Sequence, residues 1–331
     1  MGGSPSSSTA QLRTDLAVYT EFDLIADRKG FIGHRVLPVF EVELAGDTFP
    51  KVVVESILRN VDTRRAPRAP YPSDNWEWIT DNYATEEHGF EEKIDDRERR
   101  KYRHLIEYEA ICAERAADAV LRGAERRIAS MIFNPTTFAA QTTAVTNEWD
   151  DYTSADPISD VAAARDAIWS KCGLEANCLV ISRPVFRNLR RCENIIDKIH
   201  SEGAGQSIIQ SRINDALLAE ILDLDLVLVA GGTQNLANRA QAASFARIWS
   251  DEYAWLGVVA TDNDLRKPCI GRTFHWSDDG SNILGTFEIY RNEEVRSDVV
   301  RCRNDVDEKL MTVECGHLLT NITTTSDGAS S

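Results

Sequence analysis

Between Asp95 and Met131 the chain reads DDRERRKYRHLIEYEAICAERAADAVLRGAERRIASM, with no proline and one glycine, Gly123. This segment predicts one long helix. Asp95 is placed to act as N-cap, and Glu98 three residues on completes a capping-box spacing. Leu105, Tyr108, Cys112, Ala116, Ala119, Val120 and Gly123 recur at three- and four-residue steps and form one apolar stripe. At ~1.5 Å per residue the helix spans roughly 55 Å. A polar helix of that length pairs in a coil or serves as a beam for something extended. The stripe is rich in Ala and Cys and lacks a sustained heptad of Leu, which argues against a coiled coil.

The 331 residues, 43% of them hydrophobic, are enough for one large or two medium domains with a sizeable core. Against 37 basic residues stand 53 acidic ones, a net charge of −16. Such a chain does not coat nucleic acid with its average surface. Its acidity serves solubility, or a container wall that repels its contents. No apolar run is long enough to cross a membrane. The start, MGGSPSSSTAQLRTD, lacks the charged and apolar regions of a signal peptide and reads as an arm. The seven cysteines, an odd number with no CxxC, sit mostly among apolar neighbours. They are expected to be reduced, buried thiols in a cytosolic setting rather than a metal site.

Phe31 to Phe49 reads as short strands broken at Pro38 and Gly46, and Lys51 to Leu58 is β-rich. Then comes RNVDTRRAPRAPYPSDN, which carries Arg59, Arg64, Arg65 and Arg68. Ala45 to Asn75 is expected to be a projecting loop or long hairpin. Trp76 to Asn82 alternates as a strand. Glu86 to Glu98 is an acidic entrance to the helix, with Glu86, Glu87, Glu91 and Glu92 in its first part. The basic loop and the acidic segment are candidates to pair, within a subunit or between neighbours. Asn134-Pro135 ends the long helix. From Asp156-Pro157 the pattern is α-β-α-α-β up to Ala230, a compact α/β unit with a small sheet. From Phe245 onward strands return.

Catalytic patterns are weak. Gly231-Gly232-Thr233 follows a strand, as a phosphate-binding turn would, but the remaining glycines and a following lysine are missing. The six histidines are scattered, with no i, i+4 pair, and neither GxSxG nor HExxH occurs. Paired acids such as Asp95/Asp96 are accounted for by capping and the helix dipole. No catalytic, cofactor-binding or metal-ligating residue is assigned.

Four segments in order carry a resemblance: GFIGHRVLPVFEVE, EEHGFEEKIDDRERRKY, ADPISDVAAARDAIWSKCGLEANCLVISRPVFRNLRRCENIIDKI and TFEIYRNEEVRSDVVRCRNDVDEKLM. Together they resemble major capsid proteins of tailed bacteriophages, the fold of the Hong Kong 97 type. The resemblance implies an α+β fold with an N-terminal arm and first strand over 1–40 and an extended loop over 41–80. It also implies a peripheral domain over 81–155 with a spine helix at 95–131, an axial domain over 156–243, and return strands of the peripheral domain and a tail over 244–331.

By the same resemblance the chain is expected to be a structural protein, not an enzyme, with no cofactor. It is expected to self-assemble as pentamers and hexamers of an icosahedral shell around double-stranded DNA, without sequence-specific contact and without a membrane. A separate scaffolding protein, a portal and a cement protein are the partners implied; the arm reaches the strands by about residue 31, so the scaffold is expected to be separate rather than fused. The place implied is the virion, and the host cytoplasm before assembly. Arg59, Arg64, Arg65 and Arg68 are expected to meet a neighbour's Glu86, Glu87, Glu91 and Glu92 across a subunit contact. Two other readings stay open: an encapsulin-like compartment, which shares the fold, and a soluble α/β enzyme with its site near Val229–Gly232.

Overall fold

The computed structural model describes residues 11–12, 30–65, 67–68, 70–73, 78–102, 108–201, 213–238, 240–278 and 285–324. In chain order these form β1 (Gln11–Leu12), a helical turn α1 (Gly33–Val36), β2 (Val39–Val42), β3 (Gly46–Val52), a second turn α2 (Val54–Ile57), β4 (Trp78–Ala84) and β5 (Glu86–Asp95). Next come α3 (Asp96–Tyr102), α4 (Tyr108–Ile132), β6 (Thr142–Ala144), α5 (Pro157–Cys172), β7 (Cys178–Ser182), α6 (Arg183–Leu189), α7 (Glu193–Ser201), α8 (Asp215–Ile221) and β8 (Leu226–Ala230). The chain closes with β9 (Thr233–Asn235), β10 (Phe245–Arg247), β11 (Ala254–Gly257), β12 (Gly271–Trp276), β13 (Thr286–Asn292), β14 (Ser297–Leu310) and β15 (Gly316–Thr320).

Two sheets organise the molecule. The first has the order β1–β13–β14–β12–β2, with β5 beside β14. Its axis is β14, whose first half pairs with β13 and second half with β12 while β5 runs antiparallel along Ser297–Val306. The second sheet has the order β6–β15–β11–β7–β8. β7 and β8 are parallel neighbours, from Cys178 opposite Leu226 to Ser182 opposite Ala230. The expectation that the strands after Phe245 all complete one sheet is corrected here: β11 and β15 enter the second sheet, and β12, β13 and β14 the first. Ala254, Trp255, Leu256 and Gly257 are all buried. A strand apolar on both faces has to lie inside a covered sheet, and β11 sits between β7 and β15.

The helical beam is described in two stretches, α3 and α4; residues 103–107, and with them the expected contact Leu105, lie outside the described residues. Asp95 caps the entrance, its carboxylate accepting the Arg97 and Glu98 N–H groups at 2.7 and 3.3 Å. The buried face of α4 runs Cys112, Ala113, Ala116, Ala117, Val120, Ile128, Ala129 and Ile132. Its first half packs on Ile94, Phe287, Val300 and Cys302 of the first sheet. Its last turns pack with Val180, Leu228 and Leu318 of the second. Small side chains near the start bring helix and sheet close, and larger ones at the end fill the joint between the sheets. The helix therefore spans both layers.

Helix α5 follows the sequence rules closely. Asp156 accepts the Ser159 N–H at 3.2 Å, Pro157 takes the first turn, and Gly173 closes the helix at φ 67° while its N–H reaches the Trp169 carbonyl at 2.8 Å. All seven cysteines are buried free thiols, as their apolar surroundings implied.

Candidate assembly interface

The extended loop is built on a hairpin. β3 and β4 pair antiparallel from Gly46 opposite Ala84 to Val52 opposite Trp78. An aromatic cluster fixes the base of the hairpin to β12: Tyr83 stacks on Phe274 with centroids 4.8 Å apart, and Phe49 lies 5.1 Å from the same ring. Polar contacts add register. The Ala84 N–H donates to the Asp307 carboxylate at 3.0 Å, and Lys309 donates to Asp81 at 2.6 Å and to the Asn82 carbonyl. Partial burial pushes the Asp81 carboxyl up, but the Lys309 and Asn82 hydrogen bonds and the charges of Lys309 and Lys51 together outweigh it, and the net shift is downward.

Beyond the hairpin the loop departs from the simple projecting form expected. The β-rich reading of Lys51–Leu58 holds only to Val52, and α2 follows. Val54 is buried in the core around Trp149 and Ile168, and the Leu58 side chain fills the space a Cβ of Gly173 would occupy. Two apolar side chains on one helical turn fold the loop back onto α5, and alternation alone does not reveal that. The exposed part runs through 59–65, 67–68 and 70–73, and it carries all four arginines: Arg59, Arg64, Arg65 and Arg68 are exposed. The Arg65 guanidinium lies 4.4 Å over the Tyr71 ring, and Asp62 accepts the Arg64 N–H at 2.9 Å.

The acidic segment is not a helix entrance but a strand, β5, ten residues long. Its pairing with β14 overrides helix propensity up to Asp95. Among the described residues β14 is the only strand that β5 pairs with, so its other edge is open. Glu86 and Glu87 are exposed there. Glu91 and Glu92 are already engaged within the chain: Glu91 with Arg301 at 2.8 Å and the Tyr290 hydroxyl at 3.0 Å, Glu92 with Arg115 at 3.1 Å. The structure thus gathers the arginines on one loop and the glutamates on one strand, and leaves Glu86 and Glu87 as the pair with the freest carboxylates.

A second junction lies just before β2. The sequence of Phe31–Val36 predicts strand, yet Gly33–Val36 is a helical turn. The cause is Glu125 of α4, whose carboxylate is buried at 3% exposure. It accepts the Ile32 N–H at 2.9 Å, the Gly33 N–H at 2.7 Å and the Trp249 indole N–H at 2.6 Å. Burial pushes the Glu125 carboxyl above its usual range, against the pull of these three donors. One acid joins the segment before β2, the beam and the loop before β11. The signal for it was an acid on the buried face of a helix, between Leu121 and Ile128.

The glycine pair after β8 has a packing role in this structure. The Gly231 N–H donates to the Gly30 carbonyl at 2.8 Å, and a Cβ on Gly30 would lie 2.9 Å from Gly231. Backbone crosses backbone there, which only glycine permits at Gly30, φ 70°. Among the described residues no group of three or more His, Cys, Asp or Glu is placed to hold a metal ion, and no helix is long and apolar enough to cross a membrane.

No protein-family model matches the chain. It is 29% identical over 299 residues to the major capsid protein of Burkholderia phage BcepMu, covering 88% of this chain and 91% of that one. It is 24% identical over 168 residues to the major capsid protein of Pseudomonas phage JBD67, covering 50% of this chain and 52% of that one. Among solved structures, a phage-related protein from Bordetella bronchiseptica RB50 superposes with a TM-score of 0.67 at 20% identity, covering 96% of this chain and 99% of that one. A virus-like particle from Pyrococcus furiosus superposes with a TM-score of 0.56 at 10% identity, over 92% and 98%. The SrpI encapsulin of Synechococcus elongatus gives 0.52 at 11%, over 98% and 94%. The α+β fold is that of the Hong Kong 97-type shell proteins.

Proposed function

We propose that this chain is the major capsid protein of a tailed phage, a structural subunit that assembles with copies of itself into a shell. The observation that carries this reading is the nearly end-to-end relation to a phage major capsid protein, 91% of whose length is matched. The encapsulin reading shares the fold, but its likeness is structural alone, at 11% identity.

The finer picture is also our proposal. Copies form pentamers and hexamers of an icosahedral shell in the host cytoplasm, then enclose double-stranded DNA in the virion. A scaffolding protein, a portal and a cement protein are the partners in view. Residues 1–40 act as the arm, 41–80 as the extended loop, 81–155 and 244–331 as the peripheral domain, and 156–243 as the axial domain, with β11 and β15 lent to the axial sheet. Arg59, Arg64, Arg65 and Arg68 reach the open edge of a neighbour's β5, where Glu86 and Glu87 receive them and Glu91 and Glu92 lie alongside. Each contact is weak, and closure multiplies them because every subunit binds several neighbours.

Sedimentation and electron microscopy of the purified, overexpressed protein test the reading. Closed particles, or five- and six-membered rings, support it. A monomer or dimer that does not assemble with crowding agents, nor with the scaffolding protein co-expressed, sinks it. Particles that retain a host enzyme and exclude DNA favour the encapsulin reading.

A further inference from the structure

We infer that Arg183 and Arg187, with Arg247 beside them, form a site for a phosphate group at the carboxyl ends of β7 and β8. The chain has 53 acidic residues for 37 basic ones, so carboxylates outnumber cations. Ion pairs accordingly hold Arg99, Arg115, Arg122, Arg127, Arg165, Arg291, Arg301 and Arg303. Arg183 and Arg187 are exposed on α6 and have no ion pair among the described residues. They stand four residues apart, on one face and one turn from each other.

The two guanidiniums line two adjoining hollows. The first, about 230 Å³, lies between Ser182, Gly231–Thr233 and Arg247. The second, about 420 Å³, lies toward Arg190 and Asn214. The Arg183 guanidinium lies against the chain crossing, with Nη2 at 3.0 Å from where a Cβ of Gly30 would stand. Two acids approach. Asp251 is buried behind the first hollow and already accepts from Arg247 and from the Ser182 hydroxyl. Asp215 borders the second. The first hollow therefore keeps an excess of positive charge in a molecule of net charge −16. Two forked donors side by side match the oxygens of a phosphate. Position agrees: open sheets with parallel strands bind ligands outside the carboxyl ends of those strands.

A phosphate group could come from free phosphate or from a nucleic-acid backbone. Titration calorimetry of the purified full chain with inorganic phosphate, and separately with a short DNA duplex, distinguishes them. Phosphate binding should weaken at least about tenfold in the double variant R183Q/R187Q, and should be unchanged by R126Q, an exposed arginine elsewhere. The charge-conserving R183K/R187K should bind, but more weakly than wild type, which separates fork geometry from folding defects. If the duplex also binds, is displaced by phosphate and loses about two from its log–log salt slope in R183Q/R187Q, the source is a backbone. If only phosphate binds, it is the free ion. Equal affinity of wild type and R183Q/R187Q overturns the site. So does a poly-glutamate peptide that outcompetes phosphate, since the partner is then a carboxylate segment.

Discussion

Glu125 shows how much one side chain can organise. Its carboxylate terminates three N–H groups that would otherwise be buried without partners. Glu125→Ala strands all three, and each unsatisfied donor costs about 1–3 kcal/mol. Denaturant unfolding should show a loss of ~3 kcal/mol or more, with Glu125→Gln between the two because one acceptor remains. Gly33 is the counterpart: a Cβ there would stand 2.7 Å from the Glu125 carboxylate and 2.9 Å from the Ile128 side chain. Gly33→Ala should cost about 1–3 kcal/mol by overpacking, and a neutral result by the same measurement refutes the tight approach. His317 carries the pH dependence. It is buried, its Nε2 is 3.0 Å from the Thr143 hydroxyl, and its Nδ1 has no partner among the described residues. Burial, with Lys171 nearby, lowers its pKa. The unfolded chain therefore takes up the proton first as pH falls, so the stability is present above about 6.5 and is lost below it. His317→Gln should flatten the stability–pH curve in that window.

At the scale of elements, the loop and strand β5 matter most. The turn α2 docks through Val54, and removing two buried methyl groups in Val54→Ala should cost about 1.6 kcal/mol. Limited proteolysis should then cut faster within 53–73 than elsewhere. If cleavage is unchanged, α2 does not tether the loop. The acidic character of β5 also has an element-level reason. A ten-residue open edge invites uncontrolled pairing. Five glutamates and aspartates along it make pairing selective for a basic partner. Much of this was legible in the chain. The capping residues Asp95, Asp156 and Gly173 sit where their chemistry placed them, because caps depend on neighbours a few residues away. The strand character of Glu86–Asp95 was not legible, because it is imposed by β14, some two hundred residues later.

For the whole molecule, the decisive quantity is the interplay of a net charge of −16 with one exposed basic loop. Copies repel on average, so attraction has to be local, and the contact proposed above sets the arginines of 59–68 against Glu86 and Glu87 of a neighbour. Exposed charges are screened within about 10 Å at 0.1 M salt. Assembly followed by light scattering should therefore weaken as salt rises. Reversing all four arginines to glutamate should abolish shells at any salt; shells that persist would remove these residues from the contact.

What the chain determined alone was local and periodic: the capped helices, the strands bounded by turn residues, the buried thiols, and the placing of arginines on one stretch and glutamates on another. These follow from spacing within a few residues. What the tertiary structure decided was which strands share a sheet, that Gly33–Val36 coils, that Val54 folds the loop back, and that Arg183 and Arg187, without an ion pair among the described residues, stand beside two adjoining hollows. Most of these depend on partners distant in the sequence, by 93 residues for Glu125 and Ile32 and by 223 for Asp307 and Ala84. No local pattern encodes those pairings, because burial and hydrogen-bond satisfaction are settled only when the sheets and the beam pack together.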